Sequence, residues 1–351
     1  MHHSQIDPEI RRLIAQGTVI PAHPLALNAD RTLDVVHQRA LTRYYIDAGA
    51  GGLAVGVHTT QFAVREVALY RPVLELAAET AASWTKRPLA LVAGLVGPTR
   101  QAVGEAQTAR GIGYHAGLLS LAAMKQASED EIVAHCAEVA REIPLVGFYL
   151  QPAVGGVILS ADFWRRFAEI DNVVAIKIAP FNRYRTLDVL RGVAGANALD
   201  RITLYTGNDD HILLDLVLPF DLRDNGVTTR VHIKGGLLGH WSVWTASAIK
   251  QFEMCRAARG KDALSADLLA LDARVTDCNS AFFDVANNFH GCIAGCHEIL
   301  RRQGLMQGIW CLDPAEGLSP GQLSEIDRVC REHSDLSDDA FVSANLQKWL
   351  A

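Results

Sequence analysis

The residues best suited to chemistry are a lysine and a tyrosine near the ends of two apolar runs. Lys177 lies in Val173-Val174-Ala175-Ile176-Lys177-Ile178, and Tyr149 in the run Leu145–Leu150. Strand side chains alternate between faces, so Val173, Ala175 and Lys177 share one face and Val174, Ile176 and Ile178 the other. The bulky face suits a covering layer of helices, so Lys177 is expected to point inward with Ala175. An ammonium in apolar surroundings is disfavoured, which lowers its pKa. The neutral amine is the form that attacks a ketone to make a Schiff base. By the same alternation Gly147 and Tyr149 share a face. That mixed face is expected to point inward too, where Tyr149 would move protons to and from a carbinolamine. Tyr149 also fits a plain core aromatic.

Other polar groups end other runs. His58, Thr59 and Thr60 follow Gly52–Gly56, and their hydroxyls and backbone amides could hold a carboxylate. They also suit the cap of a helix starting near Arg65, and His58 suits a packed loop. Gly207, Asn208, Asp209 and Asp210 follow Ile202–Tyr205 and offer acceptors for hydroxyls. The two acids equally suit the first turn of the next helix. Lys234, before Gly235-Gly236, is a competing amine.

These residues need elements that bring run ends together. Runs at Thr18–Ala22, Gly52–Gly56, Leu89–Ala93, Ala116–Ser120, Leu145–Leu150, Val173–Ile178, Ile202–Tyr205 and Thr228–Ile233 read as eight strands. Helical spacing follows each, at Asp34–Ala48, Arg65–Thr85, Thr99–Arg110, Ser128–Glu142, Ala161–Glu169, Arg185–Val193, Asp210–Leu218 and Trp241–Ala258. Eight such units in series predict an α/β fold, a (β/α)8 TIM barrel with its site at the strand C-terminal ends. The barrel is expected over residues 1–259. Residues 260–351 read as a helical region packed on it, with helices at Ala263–Asn279, Ala281–Gln303, Pro320–Glu332 and Asp338–Trp349. An open doubly wound sheet would carry a glycine-rich turn after its first strand. Here that turn, His23–Asn28, has no glycine.

The chain has 351 residues, net charge −6 and pI about 6.1. That balance argues against a nucleic-acid partner, which meets a basic face, and against an anionic membrane surface. No leader is expected, because Met1–Asp7 lacks a basic and an apolar region. Seven scattered cysteines predict a reduced, cytoplasmic setting rather than a disulfide framework. Cys292-x-x-x-Cys296-His297 has spacing a metal could use, but one helix face of a core explains it, so no metal is expected. A metal-dependent hydrolase using His23, His58 and His232 is the rival from a different class. It lacks a His-x-His pair on the first strand.

Several segments together resemble the dihydrodipicolinate synthase / N-acetylneuraminate lyase superfamily of class I aldolases. Gly147-Phe148-Tyr149-Leu150-Gln151-Pro152-Ala153-Val154-Gly155-Gly156 is similar to its Tyr-x-x-Pro motif, and Val174-Ala175-Ile176-Lys177 to its lysine strand. Gly207-Asn208-Asp209 and Gly236–Ser242 resemble the motifs at the next two strand ends. The resemblance implies a lyase of 2-oxo acids with an imine on Lys177 and Tyr149 as proton shuttle. It implies Thr59 and Thr60 as the hydroxyl pair, Thr60 catalytic. Aligned on Gly56, that pair becomes Val57 and His58, so the loop match stays open between the two. His58, Thr59, Gly207, Asn208 and Asp209 would bind substrate. No metal or organic cofactor is implied, and a homo-oligomer, tetramer or dimer, is. Val154 stands where the synthases carry an arginine, which points away from a true dihydrodipicolinate synthase. A 2-keto-3-deoxy sugar acid dehydratase with the same imine, and a keto-acid-binding barrel without turnover, are the alternatives.

Overall fold

The computed structural model describes residues 1–224 and 226–351. In chain order its first half holds α1 (Pro8–Gln16), β1 (Val19–Pro21), α2 (Val35–Ala48), β2 (Gly52–Val55), α3 (Tyr70–Trp84), β3 (Ala90–Leu95), α4 (Thr99–Ile112), β4 (Ala116–Leu119), α5 (Glu129–Ala140), β5 (Leu145–Leu150) and α6 (Ala161–Ala168). There follow β6 (Val173–Ala179), α7 (Arg183–Gly195), β7 (Thr203–Thr206), α8 (Ile212–Val217), β8 (Phe220–Asp224), β9 (Val227–Val231), β10 (Gly235–Leu238) and α9 (Thr245–Ala258). Four more helices complete the chain: α10 (Ala266–Phe282), α11 (Cys292–Arg302), α12 (Gln322–Glu332) and α13 (Asp339–Leu350).

Eight parallel strands pair in the order β1-β10-β7-β6-β5-β4-β3-β2. The wall closes where Ala22 bridges Ala54 and the His23 N–H donates to Ala54 O at 2.8 Å. The fold is a (β/α)8 barrel with a helical C-terminal extension. Side chains such as Ile20, Ala54, Val92, Leu118, Val146, Phe148 and Leu237 fill the interior. The opposite faces join the surrounding helices in an outer core that reaches into the extension.

The extension is tied to the barrel by buried polar groups as well as apolar ones. Tyr44 of α2 donates to Asp338 at 2.7 Å, and Trp349 of α13 donates to Asp47 at 2.8 Å. Asp272 of α10 accepts from the N–H of Leu213 at 2.9 Å, at the start of α8. No helix among the described residues is long and apolar enough to cross a membrane.

Three features depart from the sequence reading. The run expected as the eighth barrel strand is β9, which pairs antiparallel with β8 in a separate hairpin. Its residues Val227–Arg230 are exposed, so their β-prone character serves a ribbon without a buried face. The barrel position belongs to β10. Cβ atoms at Gly235 and Gly236 would come within 2.5 Å of the Tyr205 and Trp241 rings, which explains a strand begun with glycines.

The second departure is α1. Asp7 caps it and Pro8 starts it, and Ile6, Ile10 and Ile14 bury against the interior cluster. It closes the N-terminal mouth, where Tyr205 donates to Ile14 O at 2.8 Å. Third, the helix expected over Ala281–Gln303 is broken between α10 and α11. Asp284, Asn288 and Phe289 take φ of 55°, 53° and 66° there. The Asp284 carboxylate holds the break by accepting from Gly291 N at 2.9 Å and Asn287 Nδ2 at 2.6 Å. The consequence lies in the site, because the break turns three side chains toward the barrel mouth.

Candidate active site

A cavity opens at the C-terminal ends of the strands and encloses about 560 Å³, its open mouth included. Lys177 rises into it from β6. Ala175 and Ala179 lie on the same inner face, while Ile176 and Ile178 pack in the outer core. The amine sits 4.5 Å from the centroid of the Phe148 ring. Burial pushes its pKa down, against the pull of Asp209 and Cys292. Room for the side chain comes from Gly207, where a Cβ would lie 2.6 Å from Lys177 Cε.

Besides the Cys292 thiol, two titratable groups share the cavity with the amine. Asp209 is buried, and one carboxylate oxygen accepts from the His240 N–H at 2.9 Å. Burial raises its pKa, opposed by the positive Lys177. His58 also lines the cavity, and burial followed by the charge on Lys177 pushes it down to about 4. It is therefore a neutral imidazole near pH 7, able to donate through one nitrogen and accept through the other. The His58 and Thr59 N–H groups open a short helical turn, and neither has an acceptor within it.

Tyr149 is not at this site. It faces outward, with its ring 5.1 Å from Trp164 of α6. Its hydroxyl donates to Leu159 O and accepts from Leu159 N, both at 3.2 Å. Gly147 faces outward as well, and is small because Phe167 packs over it; a Cβ would lie 2.7 Å from that ring. The inward residues of β5 are Val146, Phe148 and Leu150, and Phe148 pairs with Lys177 across the β5–β6 ladder. β5 alternates without a break; the irregularity beside it lies on β6, where the register passes from Leu145↔Val173 to Val146↔Ala175 and skips Val174. Val174 therefore faces the interior beside Ala175, and Val173 joins the outer core, the reverse of what strict alternation predicts for those two valines.

The threonine pair is committed to the backbone. Thr59 lines the cavity, but its hydroxyl donates to Ala22 O at 2.8 Å. Thr60 is fully buried, donating to His23 O at 2.6 Å and accepting from Gly56 N at 3.0 Å. Both tie the loop after β2 to the end of β1, and neither caps a helix. Asn208 points away from the cavity into a network under the loop. It donates to Asp215 at 2.9 Å and accepts from the Phe181 N–H at 3.0 Å.

Lys234 is exposed and precedes β10, at the opposite mouth of the barrel. The three rival histidines do not converge: His23 is buried between Pro24 O at 2.8 Å and Thr42 at 2.9 Å, and His232 follows the β8–β9 hairpin. Among the described residues, the one group of three metal-capable side chains is His2, His3 and Asp171, at the chain start.

Sequence reasoning missed Phe148, Phe181, Phe283, Phe289 and Cys292, all of which line the cavity. The Phe148 signal lay in Val146-Phe148-Leu150, an alternating apolar set next to the lysine strand. The tail residues carried no signal short of the helix break itself.

Comparison with known proteins bears on this geometry. Residues 15–226 match the model of the dihydrodipicolinate synthetase family. No curated protein sequence matches the chain. Among solved structures, a chloride-inhibited dihydrodipicolinate synthase from Acinetobacter baumannii complexed with pyruvate is similar at TM-score 0.73 and 19% identity, covering 91% of this chain and 99% of that one. A dihydrodipicolinate synthase from Oceanobacillus iheyensis gives 0.74 at 14% identity, covering 93% and 99%. An N-acetylneuraminate lyase from Fusobacterium nucleatum gives 0.71 at 18%, covering 91% and 99%.

Proposed function

The chain belongs to the dihydrodipicolinate synthetase family, and on that premise we propose that it is a lyase of 2-oxo acids that works through an imine on Lys177. The observation that carries the reading is Lys177 itself, an amine buried at the active end of a barrel with its pKa lowered by that burial. A lowered pKa raises the fraction of nucleophilic amine near neutral pH. In the reaction the amine adds to the C2 carbonyl and water leaves. The protonated imine is the electron sink. When a base removes the proton of a C4 hydroxyl, the C3–C4 bond breaks and its electron pair moves through C3 into the imine. An aldehyde departs, the enamine is protonated at C3, and water releases pyruvate.

Asp209 and His58 are the groups fitted to carry these protons, since both line the cavity beside the amine. Tyr149 is not fitted, because its hydroxyl bonds Leu159 on the outer face. The free N–H groups of His58 and Thr59 suit the substrate carboxylate. Val154 lines the cavity where the synthases carry an arginine, which supports a substrate other than that of dihydrodipicolinate synthase. Dehydration of a 2-keto-3-deoxy acid would use the same imine.

The test is borohydride reduction in the presence of pyruvate, with peptide mass mapping of wild type and Lys177→Ala. The expected result is a reduced pyruvyl adduct on the peptide containing Lys177, absent from the variant. No adduct, or one on another lysine, refutes the assignment. One observation favours a second reading, a barrel that binds a keto acid without turnover: no tyrosine lines the cavity among the described residues. An adduct without release of aldehyde from any substrate would support it.

A further inference from the structure

We propose that the carbonyl fragment released from C4 is an aldehyde with an apolar body of ring size, such as an aromatic aldehyde, rather than a polyhydroxylated one. This inference rests on the imine reading of Lys177. The walls around the amine are built for such a body. Phe148, Leu150 and Val154 come from β5 and the loop after it, Phe181 from the end of β6, and Phe283 and Phe289 from the break between α10 and α11.

The two outermost rings meet edge to face. Phe181 and Phe289 lie 5.8 Å apart, with their planes at 75°. Aromatic pairs favour that geometry, and a third ring can join it. Both residues hold left-handed backbone, with φ of 48° and 66°. A bulky residue at positive φ is an outlier, and such conformations persist only where the surroundings enforce them. The surroundings do so here. Asn208 accepts from the Phe181 N–H at 3.0 Å, and Asp284 O accepts from the Phe289 N–H at 3.0 Å. Asn208 is thus a positioning residue for an aromatic wall rather than a ligand for sugar hydroxyls.

The polar inventory points the same way. A polyhydroxylated fragment buried here would need a partner for each hydroxyl, and unpaired ones are costly. The Thr59 hydroxyl has already given its proton to Ala22 O, and one of the two Asp209 oxygens already accepts from His240 N. Asp209 and His58 are also needed for proton transfer. Beyond those partly used groups only the Gln151 and Cys292 side chains remain, against six apolar walls, a poor match for a chain of hydroxyls.

The experiment measures aldol formation from pyruvate with benzaldehyde and with D-glyceraldehyde, beside borohydride trapping of pyruvate alone. The expected result is a kcat/KM about 100-fold higher for benzaldehyde, in line with discrimination by buried polar and apolar contacts. In Phe283→Ser the benzaldehyde-to-glyceraldehyde ratio should fall about tenfold. An adduct on Lys177 with glyceraldehyde preferred, or with no reaction of benzaldehyde, overturns this inference and leaves the imine standing. Absence of the adduct overturns both.

Discussion

Replacing Tyr149 with Phe separates two accounts of the site. The substitution keeps the ring and its packing on Trp164, and removes only the hydroxyl. That hydroxyl makes two 3.2 Å bonds to the Leu159 backbone. Each is worth about 0.5–1.5 kcal/mol net, so the loss is roughly 1–3 kcal/mol. The expected outcome is a drop in melting temperature of several degrees. Imine formation with pyruvate, followed by stopped borohydride trapping, should change by less than about twofold, because no bond of Tyr149 reaches the cavity. A proton shuttle would behave differently, since losing general acid–base catalysis costs about 10²–10⁴-fold. A hundredfold slower imine in a variant with unchanged melting would refute the outward placement of Tyr149 and return it to the chemistry.

Other outcomes follow from single contacts. In Gly207→Ala the new methyl would lie 2.6 Å from Lys177 Cε and 2.7 Å from Ala179 Cβ. The amine must shift, and trapping should slow by about 100-fold, as expected for a displacement of about 1 Å, with a stability cost of about 1–3 kcal/mol. Raising pH through the lowered pKa of Lys177 should accelerate trapping, because the neutral amine attacks; a flat or falling profile would contradict that. Stability should drop as pH falls from about 6.5 toward 4. His23, His240 and His297 are buried with pKa values pushed down to about 4. Over that window the unfolded chain binds the protons first, at a cost on the order of 3 kcal/mol per histidine, and denaturant titrations between pH 4 and 7 would read it. Asp338→Ala strips acceptors from Tyr44 at 2.7 Å, Ala246 N at 2.9 Å and Gln303 at 2.8 Å. It should cost about 2–4 kcal/mol, seen as a lower urea midpoint.

Much of the barrel was legible because each unit wrote its own local signal. Seven of the eight barrel strands lie where apolar runs predicted them, and Gly49 and Ser128 mark helix ends as cap chemistry requires. The eighth was misplaced because β-propensity in Thr228–Ile233 reports an extended chain, not its partner. Lys177 was readable because its strand alternates between small and bulky faces from Ala175 to Ala179, although the inward Val174 breaks the alternation before it. Tyr149 was misassigned because smallness was taken to mean the interior. At Gly147 it means a phenylalanine from the neighbouring helix. Which face of β5 looks inward depends on pairing with β6, a non-local fact. The threonines and Asn208 were expected to serve substrate at the mouth. Their partners, Ala22, His23 and Phe181, lie far away in sequence and claim them.

The late helices give the site an order of completion. Phe283, Phe289 and Cys292 belong to the last quarter of the chain, yet they wall the chamber around an amine set more than a hundred residues earlier. Without those three side chains the chamber would lack part of the wall that keeps water from Lys177. The burial that lowers the pKa of the amine thus depends on the last residues to be synthesised as well as on its own strand. On the imine reading proposed above, a barrel without its final helices would carry the lysine with less of the desolvation that favours the neutral amine.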